Sequence, residues 1–189
     1  MIKERRDYYE RIYQIASTLN SERNPRALLH SIVESIAKAT EAKACSLMLL
    51  TPNREVLLHT VAYGLSDWYL RKGPITVGKV IFDVLEGKSV AVLDATTDER
   101  VLYREQAKKE GIASILSVPM RHRGEVIGIV RVYTGKPYRF TKDDINFVET
   151  IANLAAVALE NLRAYDIIQK DHETFRRDML QWRAELGDE

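Results

Sequence analysis

The stretch Ser114–Asn161, SILSVPMRHRGEVIGIVRVYTGKPYRFTKDDINFVETIANLAAVALEN, spells two strands, a helix start and a long helix in one uninterrupted run. Ser114 to Met120 and Glu125 to Tyr133 are rich in β-branched and aliphatic residues, and the polar Arg121, His122, Arg123 and Gly124 between them read as a short hairpin loop. Two antiparallel strands are expected. Thr141 offers its hydroxyl to the open N–H groups of the next helix and Asp144, three residues on, reaches back, the reciprocal arrangement of a capping box.

Upstream, Ala44 to Leu50 reads as a strand, Thr51-Pro52-Asn53-Arg54 as a turn, and Glu55 to Tyr63 as a second strand closed by Gly64. Asn24 followed by Pro25 gives an N-cap and a proline at the first helical position, opening a helix through Ala39 with Leu28, Leu29, Ile32, Val33 and Ile36 on one broad face. Leu65 to Thr76 is irregular, with Gly73-Pro74 opposing a continuous helix. A short helix over Val80 to Glu86, a strand over Val90 to Asp94, a polar turn region from Asp94 to Arg100 and a helix from Leu102 to Glu110 stopped by Gly111 complete the middle. This order predicts a single α/β (α+β) domain with a central antiparallel sheet of about five or six strands. The Asn24 to Ala39 helix and the first half of the last helix belong on one face, with irregular connections on the other.

In their order, Ala44–Leu50, Val80–Gly87 with Val90–Asp94, Ser114–Met120 ending in Val118-Pro119-Met120, Gly124–Gly128 and the Phe140-Thr141-x-x-Asp144 approach to the last helix resemble a GAF domain. The resemblance to this small α/β sensing module of signalling proteins covers roughly Asn24 to Arg163. It implies a sensory role but no particular ligand, since members bind cyclic nucleotides, bilins, haem, amino-acid-like effectors or nothing known. Cyclic-nucleotide-binding members carry an Asn-Lys pair near the end of the last strand and a Phe-x-x-x-Asp-Glu group at the following helix. Here Phe140 and Asp144 match, Ile145 replaces the acidic residue, and Thr134-Gly135 stand where the pair belongs. Some relatives reduce free methionine sulfoxide with a thiolate and a resolving cysteine, and others attach a bilin through a cysteine on a later segment. A single Cys45 in the first strand argues against both.

The 189 residues are 46% hydrophobic and 29% charged, enough for one core of ordinary size. Lys and Arg number 28 against 27 Asp and Glu, and a formal charge of +1 sets up no field to gather nucleic acid or an anionic membrane. Arg121-His122-Arg123 reads as a solvated turn. One cysteine forms no intrachain disulfide and fits a reduced, cytoplasmic setting. The N-terminus mixes both charge signs without an apolar run, unlike a secretory signal, and Leu154 to Leu159 falls far short of the roughly 20 residues that cross a bilayer. His30, His59, His122 and His172 are scattered, and no metalloprotease, nucleophile-elbow or phosphate-loop pattern occurs. Catalytic residues, a metal site and a cofactor are therefore not identified, and no enzyme is expected.

Arg131 sets a full charge in a strand otherwise suited to burial. Alternation places it with Ile127 and Ile129, opposite Gly128, Val130 and Val132. It either points into an effector cavity to hold a carboxylate or phosphate, pairs with a structural carboxylate such as Asp94, or snorkels to solvent. Tyr63, Trp68, Phe82 and Tyr103 form the candidate rim of such a cavity. At the ends, Tyr9, Ile12, Ala16 and Leu19 give residues 1–20 an amphipathic stripe. Ile151, Leu154, Ala158, Asn161, Tyr165, Ile168, His172, Phe175, Met179, Trp182 and Leu186 follow alternating three- and four-residue steps, the seam of a coiled coil. A 1–20 helix, a 24–163 domain and a 164–189 coiled-coil-like extension predict a homodimer built on Tyr9, Ile12, Ala16, Leu19, Tyr165, Ile168, Phe175, Met179 and Trp182. The expected function is a bacterial-type cytoplasmic sensory module that binds a small effector and signals through its terminal helices. The alternative is a ligand-free dimerisation or adaptor module, with an enzyme or a cyclic-nucleotide receptor ranking behind both.

Overall fold

Six strands pair antiparallel in one sheet: β1 (Ala44–Leu50), β2 (Val56–Tyr63), β3 (Ile75–Thr76), β4 (Val90–Val92), β5 (Ser114–His122) and β6 (Glu125–Thr134), in the order β3-β2-β1-β6-β5-β4. This is a computed structural model that describes residues 2–21, 24–73, 75–76 and 79–186, with side chains described at 8–17, 24–73, 75–76, 81–161, 163–164 and 173–174. The β5–β6 hairpin is tighter than the sequence suggested. The strands run on through Arg121 and His122, and the turn is Arg123-Gly124 alone, at φ 50° and 86°. Two left-handed residues form a turn whose twist matches that of the strands, so the ladder continues to its tip. A bulge between Met120 and Arg121 then shifts the register of the pair.

The helices are α1 (Ile2–Ser21), α2 (Pro25–Ala39), α3 (Asp67–Leu70), α4 (Lys79–Leu85), α5 (Arg104–Glu110) and α6 (Lys142–Leu186). Asn24 caps α2 by accepting from the N–H groups of Arg26 (2.9 Å) and Ala27 (3.2 Å). The capping box of α6 is formed in both directions: the Thr141 N–H donates to Asp144 Oδ2 (2.7 Å), and the Asp144 N–H donates to Thr141 Oγ1 (3.2 Å). The segment read as irregular, Leu65 to Thr76, holds the single turn α3 and the edge strand β3. Ser66 starts that turn by accepting from the Tyr69 N–H at 3.1 Å, a cap that apolar periodicity does not reveal.

One face of the sheet carries α2 and the first half of α6, with Leu28, Ile32, Ile36, Phe147, Ile151 and Ala155 packed on Leu47, Val118, Val130 and Val132. Helix α1 joins this layer. Ile15 is buried, Ile12 packs on the same cluster, and Tyr8 stacks on Phe147 at 4.4 Å, while Tyr9 and Tyr13 face outward. Of the expected dimer stripe, Ala16 is half-buried, and Leu19, Tyr165, Ile168, Phe175, Met179 and Trp182 lie outside the described side chains. Leu159 is the last buried residue described on α6, which runs on to Leu186.

The other face divides in two. Ala44, Ile115 and Tyr133 pack with Tyr69 at one end, and Met48, Leu57 and Ile129 pack with Ile81 and Val84 at the other. A register shift opposite Leu47/Met48 leaves Thr60 of β2 unpaired, with Leu47 opposite Val61 and Met48 opposite His59. A bulge of this kind flips the alternation. Leu57 therefore packs on the open face, whereas Val61 and Tyr63 pack on the helix face.

Candidate functional site

Between the two apolar clusters, one rung of the sheet is polar across three strands. Arg131 of β6 stands opposite Ser46 of β1 and Ser117 of β5. The Arg131 Nε–H donates to Ser117 Oγ at 3.0 Å, and the hydroxyls of Ser46 and Tyr133 share a hydrogen bond of 3.0 Å. A cavity of about 180 Å³ lies over this rung, walled by Tyr69, Lys72, Ile75, Ile81 and the 99–103 loop. Arg131 thus lines the cavity, and Ile129 lies on the same open face of the sheet, as alternation requires. Ile127, expected on the same face, packs instead against the helix-face cluster.

Arg131 forms no salt bridge among the described residues; its guanidinium bonds the hydroxyls of Ser117 and Tyr133. Asp94, the carboxylate expected to pair with it, is exposed and closes its own turn by accepting from the N–H (2.9 Å) and Oγ1–H (2.7 Å) of Thr96. Those bonds hold its carboxyl below the usual range. Arg100 also lines the cavity but is neutralised by Asp98 at 2.6 Å. Lys72 is not: its Nζ donates to the Tyr69 carbonyl at 3.1 Å, lies 3.2 Å from His59 Nε2, and sits 3.7 Å from the centre of the Tyr69 ring. Burial, with the Arg131 charge behind it, pushes the Lys72 amine down to about 8. His59 is pushed down to about 3 by burial and then by Lys72 and Arg131, so its imidazole is neutral at pH 7. Burial also raises the phenols of Tyr69 and Tyr133.

Of the four expected rim residues, only Tyr103 lines the cavity. Tyr63 was turned to the helix face by the bulge at Thr60. Trp68 is half exposed beneath Lys109, whose Nζ lies 4.6 Å from the ring centre, and Phe82 faces solvent while its neighbour Ile81 faces inward. Sequence reasoning missed Lys72, Ser117, Ser46, Tyr69 and His59. Part of the signal was there: Ser46, Ser117 and Arg131 each interrupt an apolar run in the middle of β1, β5 and β6. Cys45 is buried on the helix face, where burial raises its thiol and disfavours a thiolate. Among the described residues no group of three His, Cys, Asp or Glu could hold a metal ion, and no helix is long and apolar enough to cross a membrane.

His59 makes a measurable mark on acid stability. Its pKa is lower in the folded chain than the unfolded value near 6.5, so its contribution is fully present above that value and drains as pH falls toward 3. By linkage, about 2 kcal/mol should disappear between pH 7 and pH 5, a window in which ordinary carboxylates barely titrate. Urea unfolding of the wild type and of His59→Gln at both pH values checks this. The variant should show a flatter profile, and equal slopes would show that His59 is solvated.

The GAF domain family profile matches residues 24–159. A methyl sulfide methyltransferase-associated sensor of Methanosarcina acetivorans is 30% identical over 74 residues, which cover 39% of this chain and 7% of that protein. The chain therefore spans only a small part of that relative's length. Among solved structures, the GAF domain of a phosphoenolpyruvate-protein phosphotransferase from Coxiella burnetii superposes with a TM-score of 0.77 at 20% identity, covering 86% of this chain and 98% of that one. A domain of a putative two-component sensor histidine kinase protein from Sinorhizobium meliloti gives 0.65 at 21% identity, covering 76% and 95%. These likenesses agree in fold with the sheet described above, and the profile match over most of the domain places the chain in the GAF domain family.

Proposed function

We propose that this chain is a cytoplasmic sensory module that binds a small anionic effector over the Ser46–Arg131–Ser117 rung and reports it through α6 in a homodimer. The carrying observation is that Arg131 and Lys72 face one cavity with no carboxylate paired to either among the described residues. Glu99 lines the same cavity and Glu110 acts on Lys72 from a distance, but neither forms a salt bridge with Arg131 or Lys72, and an anion that enters between two partly desolvated cations relieves the cost of holding them there. The kinship with a methyltransferase-associated sensor supports signalling as the role.

A physical link runs from the cavity to α6. Helix α4 covers the cavity through Ile81, and the Gly87 carbonyl just after α4 accepts from the Arg121 guanidinium. The Arg121 N–H in turn donates to Asn153 Oδ1 of α6 at 3.2 Å, and Ser89 Oγ donates to Glu149 Oε1 of α6 at 2.5 Å. An adaptor reading requires the cavity to be filled by side chains, and about 180 Å³ of open space speaks against it. Enzyme chemistry is not proposed, since the one cysteine is buried away from the cavity. Neither a nucleic acid nor membrane insertion forms part of this reading.

Two measurements test it. Thermal unfolding with small carboxylates and phosphates should show saturable stabilisation, about 2.7 kcal/mol at a hundredfold excess over Kd. No stabilisation by any anion would favour the adaptor. For the dimer, sedimentation equilibrium of the full chain is compared with a chain ending at Arg163 that keeps α1, whose Ile15 and Tyr8 belong to the core. The full chain should be a dimer and the shortened one a monomer; a full-length monomer at high micromolar concentration would defeat the dimer.

A further inference from the structure

The surroundings of Lys72 suit an amine better than an ammonium. A neutral –NH2 has two hydrogens, and two acceptors stand within reach of them, the Tyr69 carbonyl at 3.1 Å and, in the Nδ1–H tautomer of the neutral imidazole, His59 Nε2 at 3.2 Å. A third proton finds the face of the Tyr69 ring, 3.7 Å from Nζ to the centroid, and no carboxylate in ion-pair contact among the described residues; Glu110 favours the charged form only from a distance, and burial outweighs it. The second cation of the cavity, Arg131, opposes protonation further. Desolvation next to another fixed positive charge is what turns a lysine into a nucleophile at neutral pH.

We infer that Lys72 captures its effector as a reversible imine with a small 2-oxo acid, whose carboxylate is held by Arg131 and Ser117. This rests on the reading of the cavity as an anion site and names the chemistry of the anion. The lone pair of the Lys72 nitrogen attacks the ketone carbon, and the carbonyl π pair moves to oxygen, which takes one N–H proton to give a carbinolamine. The C–O bond then breaks as the nitrogen closes C=N, and the oxygen departs as water with the second N–H proton. Nothing is oxidised or reduced, so the bond reverses by hydrolysis when effector is withdrawn. The fraction of Lys72 that is unprotonated grows as pH rises through about 8, and the rate of capture grows with it.

The test uses the full chain with pyruvate, 2-oxobutyrate or 2-oxoglutarate, reduced with borohydride and read by intact mass and peptide mapping. The expected result is one adduct per chain on Lys72, formed at concentrations that leave the other lysines unmodified. Lys72→Arg should abolish trapping while calorimetry still detects binding of the oxo acid, because the positive charge remains. Arg131→Met should reduce trapping at least tenfold with Lys72 still present. Binding of a 2-oxo acid without preferential trapping at Lys72 overturns the imine and leaves the anion site standing. If none of the three acids either binds or traps, the imine falls, and the thermal-unfolding series with carboxylates and phosphates decides separately whether the anion site falls with it.

Discussion

Replacing Arg131 with methionine should cost this domain its affinity for anions by a factor of about 100 or more while leaving its stability unchanged or slightly raised. The two effects have separate causes. Truncating one member of a desolvated charge pair typically costs about 2–5 kcal/mol of binding, which sets the size of the first. A half-buried cation bonded only to hydroxyls gains little in the free protein, and an apolar side chain of similar length can be neutral or stabilising in its place. Titration calorimetry with a small carboxylate and urea unfolding read the two quantities. A third readout follows from the field of the guanidinium, which pushes His59 and Lys72 down. Without it, the NMR titration of His59 should move up. A variant that unfolds more easily by several kcal/mol would make Arg131 a structural residue, and unchanged binding would place the effector elsewhere.

Asp144→Ala should be the most destabilising single change at the α1–α6 junction. The carboxylate is buried and gathers three donors from three segments: the Tyr8 hydroxyl of α1 (2.6 Å), the Tyr138 hydroxyl of the β6–α6 loop (2.9 Å) and the Thr141 N–H of the helix cap (2.7 Å). Losing a helix cap together with two charge-assisted hydrogen bonds from tyrosine hydroxyls predicts a loss of ~3 kcal/mol. Burial alone would raise this carboxyl, but the bonds from Tyr8, Thr141 and Tyr138 outweigh it and the net direction is down. Its stabilisation is therefore present above the unfolded value near 4 and lost as pH falls through the folded one. Asp144→Asn, which keeps an acceptor but cannot titrate, should lose stability at pH 7 and lack that acid step. Hydrogen exchange should also show α1 opening more readily in Asp144→Ala, and unchanged protection there would mean that Tyr8 is held by its stacking on Phe147 alone.

The fold was legible because its signals are local. Asn24-Pro25, Thr141-x-x-Asp144 and Gly111 each fix one helix end through their own hydrogen bonds or φ, and each stands where the sequence places it. The site was less legible because it depends on register. With a four-residue loop at Arg121 to Gly124, Met120 would pair with Glu125 and Ser114 would fall opposite Arg131. The two-residue turn and the bulge at Met120/Arg121 bring Ser117 there instead. On β2 a single unpaired residue, Thr60, exchanges Tyr63 for His59 at the open face. The bulge at Thr60 has no glycine beside it, so composition gives no sign of it, whereas Gly128 adjoins the bulge at Met120/Arg121. Lys72 was hidden for another reason: its place is set by α3, one capped turn too short to carry a periodic pattern.

Helix α6 also has a mechanical consequence. Its hydrogen bonds to the sheet side, at Glu149 and Asn153, lie near its beginning, and the helix continues to Leu186. At 1.5 Å per residue, the span from Glu149 to Leu186 is about 55 Å. A tilt of roughly 5° about that root swings the far tip by about 5 Å, close to the pitch of one helical turn. The arrangement is a lever with a short input arm and a long output arm, so a shift of a few tenths of an ångström at Ser89 or Gly87 is enlarged into a sideways displacement of several ångströms at the distal end.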